Sequence, residues 1–400
     1  MGCDTTHPSI PLLDLKRPMH VTPGLRDDLV AAMERVLDSG MYILGTEVEA
    51  FEAAAAAYCR VGHAIGVSSG TDALLLSLMA LGIGAGDDVL CPTYTFFATA
   101  GTVARVGARP VFVDCCPGCF NMLPQAASER ITPNTQAMMP VHLFGQLAAM
   151  PQLQALAQRF GLAVIEDAAQ ALGAQSSAGR AGALGHVGCF SFFPSKNLGA
   201  LGDAGMVTTQ DSQLAARLRV LRVHGSQPKY FHSMVGGNFR LDALQAAVLR
   251  TKLPHLDAAS AARAQHAAQY HELFTAAGMA VHHGCICQGE TVASPRAAAP
   301  LSLPTQNPGR HIYNQYIVRI GGGRRDAVRT ALAAGGIGAE VYYPVPMHLQ
   351  PCFAHLGYRP GDFPNAEAAA QDTLALPIFP ELRSDEVARI AACVLQACGT

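Results

Sequence analysis

The chain has 400 residues, too many for one minimal core and suited to two domains. Half are hydrophobic and only 14% are charged, against about 25% in an ordinary domain, so much surface must be buried, part of it between subunits. A net charge of −2 excludes the basic footprint of a nucleic-acid binder, and no run reaches the roughly 18 apolar residues that span a bilayer. No basic-then-apolar leader pattern opens the chain, which is expected to be cytoplasmic.

Short, nearly continuous apolar runs predict strands at Asp88–Pro92, Pro110–Asp114, Ala137–Leu143, Leu162–Glu166, Gly188–Phe193 and Gly205–Thr209. Ala- and Leu-rich segments such as Asp72–Leu81 and Met150–Phe160 predict helices between them. That alternation argues for an α/β domain with a mainly parallel sheet, whose ligands gather at the carboxyl ends of the strands. The texture changes after Lys252-Leu253-Pro254. A long helix over Leu256–Ala277 is expected, then a loop over Val281–Arg310, a strand over His311–Ile320 and a helix over Asp326–Gly335. A proline-rich tail, Val341–Pro380, precedes a last helix. The expected division is a large domain over 10–255 and a smaller α+β domain over 256–400.

Five segments carry chemistry. Ser68, Ser69, Gly70 and Thr71 precede an apolar helix, where amides and hydroxyls make an anion pocket. They match neither a Walker A nor a GxGxxG pattern, so neither a P-loop nor a dinucleotide fold is indicated. Phe96, in CPTYTFFAT, can stack on a flat ring or fill a core. In VIEDAAQALGA, an apolar run delivers Glu166-Asp167 to a strand end with Gln170 beyond. An acid there can cap a helix, bind a metal, or hold a protonated pyridine nitrogen. In FSFFPSKNLGALGD, Lys196 stands where a buried strand stops, and desolvation there makes a lysine a nucleophile at neutral pH. Asn238 and Arg240, in GGNFRLDALQAA, stand ahead of a helix and are otherwise an ordinary polar turn.

Twelve cysteines raise the question of metal. Cys115, Cys116 and Cys119 lack a following pair at finger spacing, and His282, His283, Cys285 and Cys287 form a denser group in the loop. Paired soft ligands with no folding context around them are usually incidental. No metal is expected, and the remainder read as small buried hydrophobes.

Taken in order, the SSGT cap, the aromatic strand end, EDxAQ, FSFxPSKN and GxNxRLDxLQAA resemble the DegT/DnrJ/StrS family of sugar aminotransferases, over about Ile10 to Leu382. YYPVPMHLQ at 342–350 and the later LALPIFPEL resemble the family's closing segment. The resemblance implies the fold of type I pyridoxal-phosphate (PLP) transferases and a homodimer with shared active sites. It implies PLP on Lys196 as the Schiff-base lysine, Asp167 at the pyridine nitrogen, Gln170 and Phe96 against the ring. The phosphate would be held by Ser69, Gly70, Thr71 and Ser191, with Asn238 from the neighbouring subunit. Substrate contacts are expected from Arg240, Tyr343 and His348. Lysine at 196, where some relatives have histidine and dehydrate, implies transamination, with glutamate as the expected donor and a keto-sugar nucleotide as acceptor; the tail resembles members that aminate carbon 3 of a dTDP- or UDP-linked sugar. Asn314 departs from a histidine in many relatives. The alternatives are a PLP-dependent dehydratase or other PLP chemistry, a regulator that keeps the fold without catalysis, and a metal-dependent function of the His282–Cys287 cluster alongside transamination.

Overall fold

The computed structural model describes residues 8–282, 284–288 and 300–399. Seven strands form the central sheet: β1 (His63–Val67), β2 (Asp88–Pro92), β3 (Arg109–Val113), β4 (Thr135–Met138), β5 (Ala163–Asp167), β6 (Val187–Ser191) and β7 (Gly205–Thr209). Their order is β1-β7-β6-β5-β4-β2-β3. Only β7 runs against its neighbours, so the sheet is mainly parallel, as expected. Both faces are largely covered, which is why these strands are mostly apolar rather than alternating; β2 and β7 are buried at every position. The helix Gly70–Ala80 is apolar on nearly all sides for the same reason, with Ala73 to Leu78 all buried.

A second sheet follows the long helix Leu256–Ala276: β8 (Ala280–His282), β9 (Leu301–Leu303), β10 (Tyr316–Ile320) and β11 (Thr373–Leu376), in that order. Its core joins Tyr270, Phe274, Tyr316, Val328 and the helix Ser384–Gly399. Ile10 packs into this second core and exchanges backbone bonds with Gly336 and Gly338, so the first described residues accompany the later part of the chain.

Two predicted strands are shorter than expected. The regular strand ends at Met138; Val141 still bridges Asp167, and the chain then closes a short helical turn at Leu143–Gly145. Residues 311–315 leave β10 because their backbone is used elsewhere: the Ile312 amide donates to Gly145 O and the Asn314 amide to Phe144 O. No helix among the described residues is long and apolar enough to cross a membrane.

Candidate active site

β1, β2, β5 and β6 all end on one edge of the sheet, because β7 is antiparallel to both β1 and β6. Parallel strands deliver their carboxyl-terminal residues to a common edge, and the chain places Ser68–Thr71, Thr93–Phe96, Asp167 and Ser191 there.

Asp167 is the last residue of β5 and is buried. Thr99, in the first turn of the helix Phe97–Arg105, donates to its Oδ2 at 2.8 Å. Among the described residues, its Oδ1 receives the Ala169 amide alone, at 3.2 Å. Burial pushes this carboxyl above the ordinary range, while the Thr99 bond, the Ala169 amide and the nearby charge of Lys196 pull it back. A cation set beside Oδ1 would relieve that burial.

Lys196 lies in the turn after β6, its amide held by Phe193 O at 2.8 Å. Burial brings its amine from 10.5 down to about 8, and the Asp167 carboxylate opposes that fall. The turn needs small residues: a β-carbon on Gly199 would sit 2.3 Å from Pro194 O.

The helix Gly70–Ala80 begins with Ser69 as its cap, whose hydroxyl accepts from the Asp72 amide at 3.0 Å. The amides of Gly70 and Thr71 fall in the first turn, which has no helical acceptor to offer them. A β-carbon at 70 would lie 2.6 Å from Cβ of Ser191, so only glycine lets this helix end approach the tip of β6. The result is a cradle of amides and hydroxyls suited to a phosphate dianion.

Gln170 is fixed at both ends: its Oε1 accepts the Phe144 amide at 2.7 Å and its Nε2 donates to the Tyr343 hydroxyl at 3.1 Å. Tyr343 packs edge-on against Tyr94 and lies 6.1 Å from the Phe96 ring. Phe96 itself is 57% exposed, unusual for a phenylalanine at the end of a buried strand and fitting for one that stacks on a bound ring.

The structure therefore brings Lys196, Asp167, Gln170, Phe96, Tyr343, Ser69, Gly70, Thr71 and Ser191 to one edge. The other sequence candidates differ. Asn238 is exposed and precedes Phe239, whose carbonyl takes the Ser68 amide. Arg240 pairs its backbone with Val67 and forms no ion pair among the described residues; its Nε is buried without a partner. His348 is buried, its Nδ1 on Thr93 Oγ1 at 2.8 Å and its Nε2 on Glu367 at 3.1 Å. Both of its ring nitrogens are thus engaged within the chain. Asn314 is also buried, its Oδ1 without a partner.

Sequence reasoning missed Thr99 and the pairing of His142 with Glu166. The Ala148 amide donates to His142 Nδ1, so its Nε2–H donates to Glu166 Oε2, at 2.8 Å. Glu166 also receives the amides of Gly182, Leu184 and Gly185, pinning a loop behind the site. The alternation at the end of β5 was the available signal: with Asp167 turned to the site, Glu166 turns away from it. A cleft of about 930 Å³ between residues 81–87, 154–164 and 184–186 holds none of the candidate residues. Another cavity of about 320 Å³ reaches Lys196 and Asn197 together with Met19, Lys252 and Arg263.

The family model of the DegT/DnrJ/EryC1/StrS aminotransferases matches residues 23–395. The chain is 45% identical to a "Pleiotropic regulatory protein" of Geobacillus stearothermophilus, over 94% of this chain and 95% of that one. It is 44% identical to a "UDP-N-acetyl-3-dehydro-alpha-D-glucosamine 3-aminotranferase" of Acidithiobacillus ferrooxidans, over 98% of each. Among solved structures, S. venezuelae DesV superposes with a TM-score of 0.90 at 42% identity, covering 98% of this chain and 100% of that one.

Proposed function

This chain belongs to the DegT/DnrJ/EryC1/StrS aminotransferase family, and from that premise we propose that it moves an amino group from glutamate to carbon 3 of a UDP- or dTDP-linked keto-sugar. The protein is a PLP-dependent nucleotide-sugar aminotransferase. What carries the finer reading is the pairing of a half-buried lysine of lowered basicity with a buried aspartate, beside a glycine-walled anion cradle. The carbon-3 assignment draws support from the A. ferrooxidans relative, whose name specifies a 3-dehydro sugar.

The residues fit the cofactor. The cradle of Ser69, Gly70, Thr71 and Ser191 would hold its phosphate, Phe96 and Gln170 its ring, and Asp167 its ring nitrogen. When bound, PLP supplies the electron sink that makes the donor's α-proton acidic. The protein's part is proton placement. Asp167 would keep a proton on the ring nitrogen, since a buried carboxylate is favoured with a cation alongside. With the cofactor bound, Lys196 Nζ would carry the proton from the donor's α-carbon and return it on the acceptor side. Thr99 holds Asp167, while Tyr343 and the Phe144 amide hold Gln170, so neither must reorganise during the reaction.

In our reading the active species is a cytoplasmic homodimer, with Asn238 of the partner subunit completing the phosphate site. Exposed Met41, Tyr42, Ile43, Tyr230, Phe231 and Val235 support this: so many large apolar residues are seldom left in water. Arg240, with an unpartnered buried Nε, is the candidate for a substrate carboxylate or pyrophosphate.

The deciding experiment supplies PLP to purified protein and to Lys196→Ala, then treats both with borohydride. Retention of cofactor on the Lys196 peptide of the wild type alone, and turnover of a 3-keto-sugar nucleotide with glutamate, is the expected result. A wild type that binds no PLP would sink this reading and favour a regulator.

A further inference from the structure

Two short cysteine pairs, remote in the chain, meet in the folded protein. Cys116 and Cys119 flank Pro117-Gly118 in the loop after β3, and Cys285 and Cys287 flank Ile286 after β8. All four are buried, and their sulfurs lie within 4.8 Å of one another. Ala149 and Leu123 close the nook around them. Scattered buried cysteines are ordinary small hydrophobes. Four sulfurs converging on one point are not scattered.

The spacing distinguishes the possible chemistries. Cys116 and Cys285 sulfurs stand 3.6 Å apart, far beyond the ~2.05 Å of a disulfide. A tetrahedron with zinc–sulfur bonds of about 2.3 Å has edges of about 3.8 Å, which this distance matches. An iron cluster with its own sulfides would hold four thiolates further apart.

The backbone is shaped to the same end. A β-carbon at Gly118 would lie 2.4 Å from Gly284 O, so the Cys-Pro-Gly-Cys turn meets the second pair only because residue 118 is glycine. Phe120, at φ 63°, closes the turn by donating its amide to Cys116 O at 2.9 Å, and Cys116 donates to Asn121 O at 2.8 Å. Arg319 Nη1 holds Pro117 O at 2.8 Å from β10.

We propose that Cys116, Cys119, Cys285 and Cys287 bind a single zinc ion as a closed, four-thiolate structural site. Four protein ligands leave no position for substrate, so the metal does not take part in the chemistry. Binding releases the thiol protons to solvent and ties the β3 loop to the segment after β8. The β3 loop backs the active site: Phe120 packs on Tyr94 and Phe144, and Asn121 Oδ1 accepts the Leu143 amide at 3.0 Å. Phe144 in turn supplies the amide that fixes Gln170. The ion thus steadies the Gln170 wall from outside the reaction.

The test uses PLP-loaded, full-length protein purified under reducing conditions without chelator. Elemental analysis should give about one zinc per chain, lost in Cys116→Ser/Cys285→Ser and kept in Cys352→Ser, which alters an exposed cysteine elsewhere. Should the double variant not fold, wild type decides: grown with cobalt, it should show the visible bands and thiolate charge transfer of a tetrahedral tetrathiolate site. Stoichiometric release of zinc on titration with a mercurial reagent supports the site independently of activity. Reduced wild type that is metal-free, takes up no zinc and gives no such cobalt spectrum overturns it.

Discussion

Lys196 offers the sharpest quantitative test, because burial and a neighbouring charge act on it in opposite directions. Burial brings its amine from 10.5 to about 8, and Asp167 limits the fall. At about pH 7.5 a group titrating near 8 is about 24% neutral and an ordinary lysine about 0.1%, so burial enriches the reactive amine roughly 240-fold. Competitive acetylation of cofactor-free protein between about pH 6 and pH 11, read by mass spectrometry, measures this directly, with exposed Lys229 as the internal standard. The expected midpoint for Lys196 is near 8. In Asp167→Asn it should fall further, because the carboxylate's charge supports the ammonium. A midpoint at the ordinary lysine value, or a rise in Asp167→Asn, would refute the reasoning. Stability must follow the same titration. The folded value lies below the unfolded one, so the unfolded chain holds the extra proton between them. The cost of burying Lys196 is therefore carried in full below pH 8 and is relieved as pH rises from about 8 toward 10.5. Lys196→Met should accordingly be more stable than wild type at neutral pH, with a gap that narrows in that alkaline window.

Other perturbations test the parts around it. Gly70→Ala puts a methyl group 2.6 Å from Ser191 Cβ and should weaken PLP binding by roughly tenfold or more, about 1.4 kcal/mol at least, by fluorescence titration; adding Ser191→Gly should recover part of it. Glu166→Gln leaves Gly182 N and His142 Nε2 facing an amide instead of a carboxylate, at roughly 3–5 kcal/mol for two buried bonds lost. With unfolding entropy near 2.1 cal/mol/K per residue, that lowers the thermal midpoint by about 4–6 °C, and a change of under about 1 °C by calorimetry would contradict it. Thr99→Val strips Asp167 of its hydroxyl donor and should reduce kcat while leaving the fold's thermal midpoint within about 2 °C. Phe231→Asp with Val235→Asp should drive sedimentation toward the monomer and cut PLP retention together; a stable, fully active dimer would place the interface elsewhere.

Much of this protein was legible from local sequence. The α/β class and most of the central strands followed from apolar runs separated by helical segments, since a strand covered on both faces has no polar positions to spare. Lys196, Asp167 and Gln170 stood out because each sits where such a run gives way to small residues, the mark of a parallel strand reaching its ligand edge. The SSGT cap was visible because capping is decided within four residues. What tertiary structure decided was every relation between distant segments. Thr99 is an ordinary helical threonine until the end of β5 is set beside it, and His348, expected at the substrate, is enclosed by Thr93 and Glu367. Residues 311–315 have the composition of a strand, yet their amides go to Phe144 and Gly145, partners no local pattern can name. The cysteines make the point most fully. Each pair is an incomplete ligand set along the chain, and 169 residues separate Cys116 from Cys285. Periodicity and caps are short-range and survive in the linear order of residues. Convergence at a point in space arises only when the two sheets and the loops between them are packed.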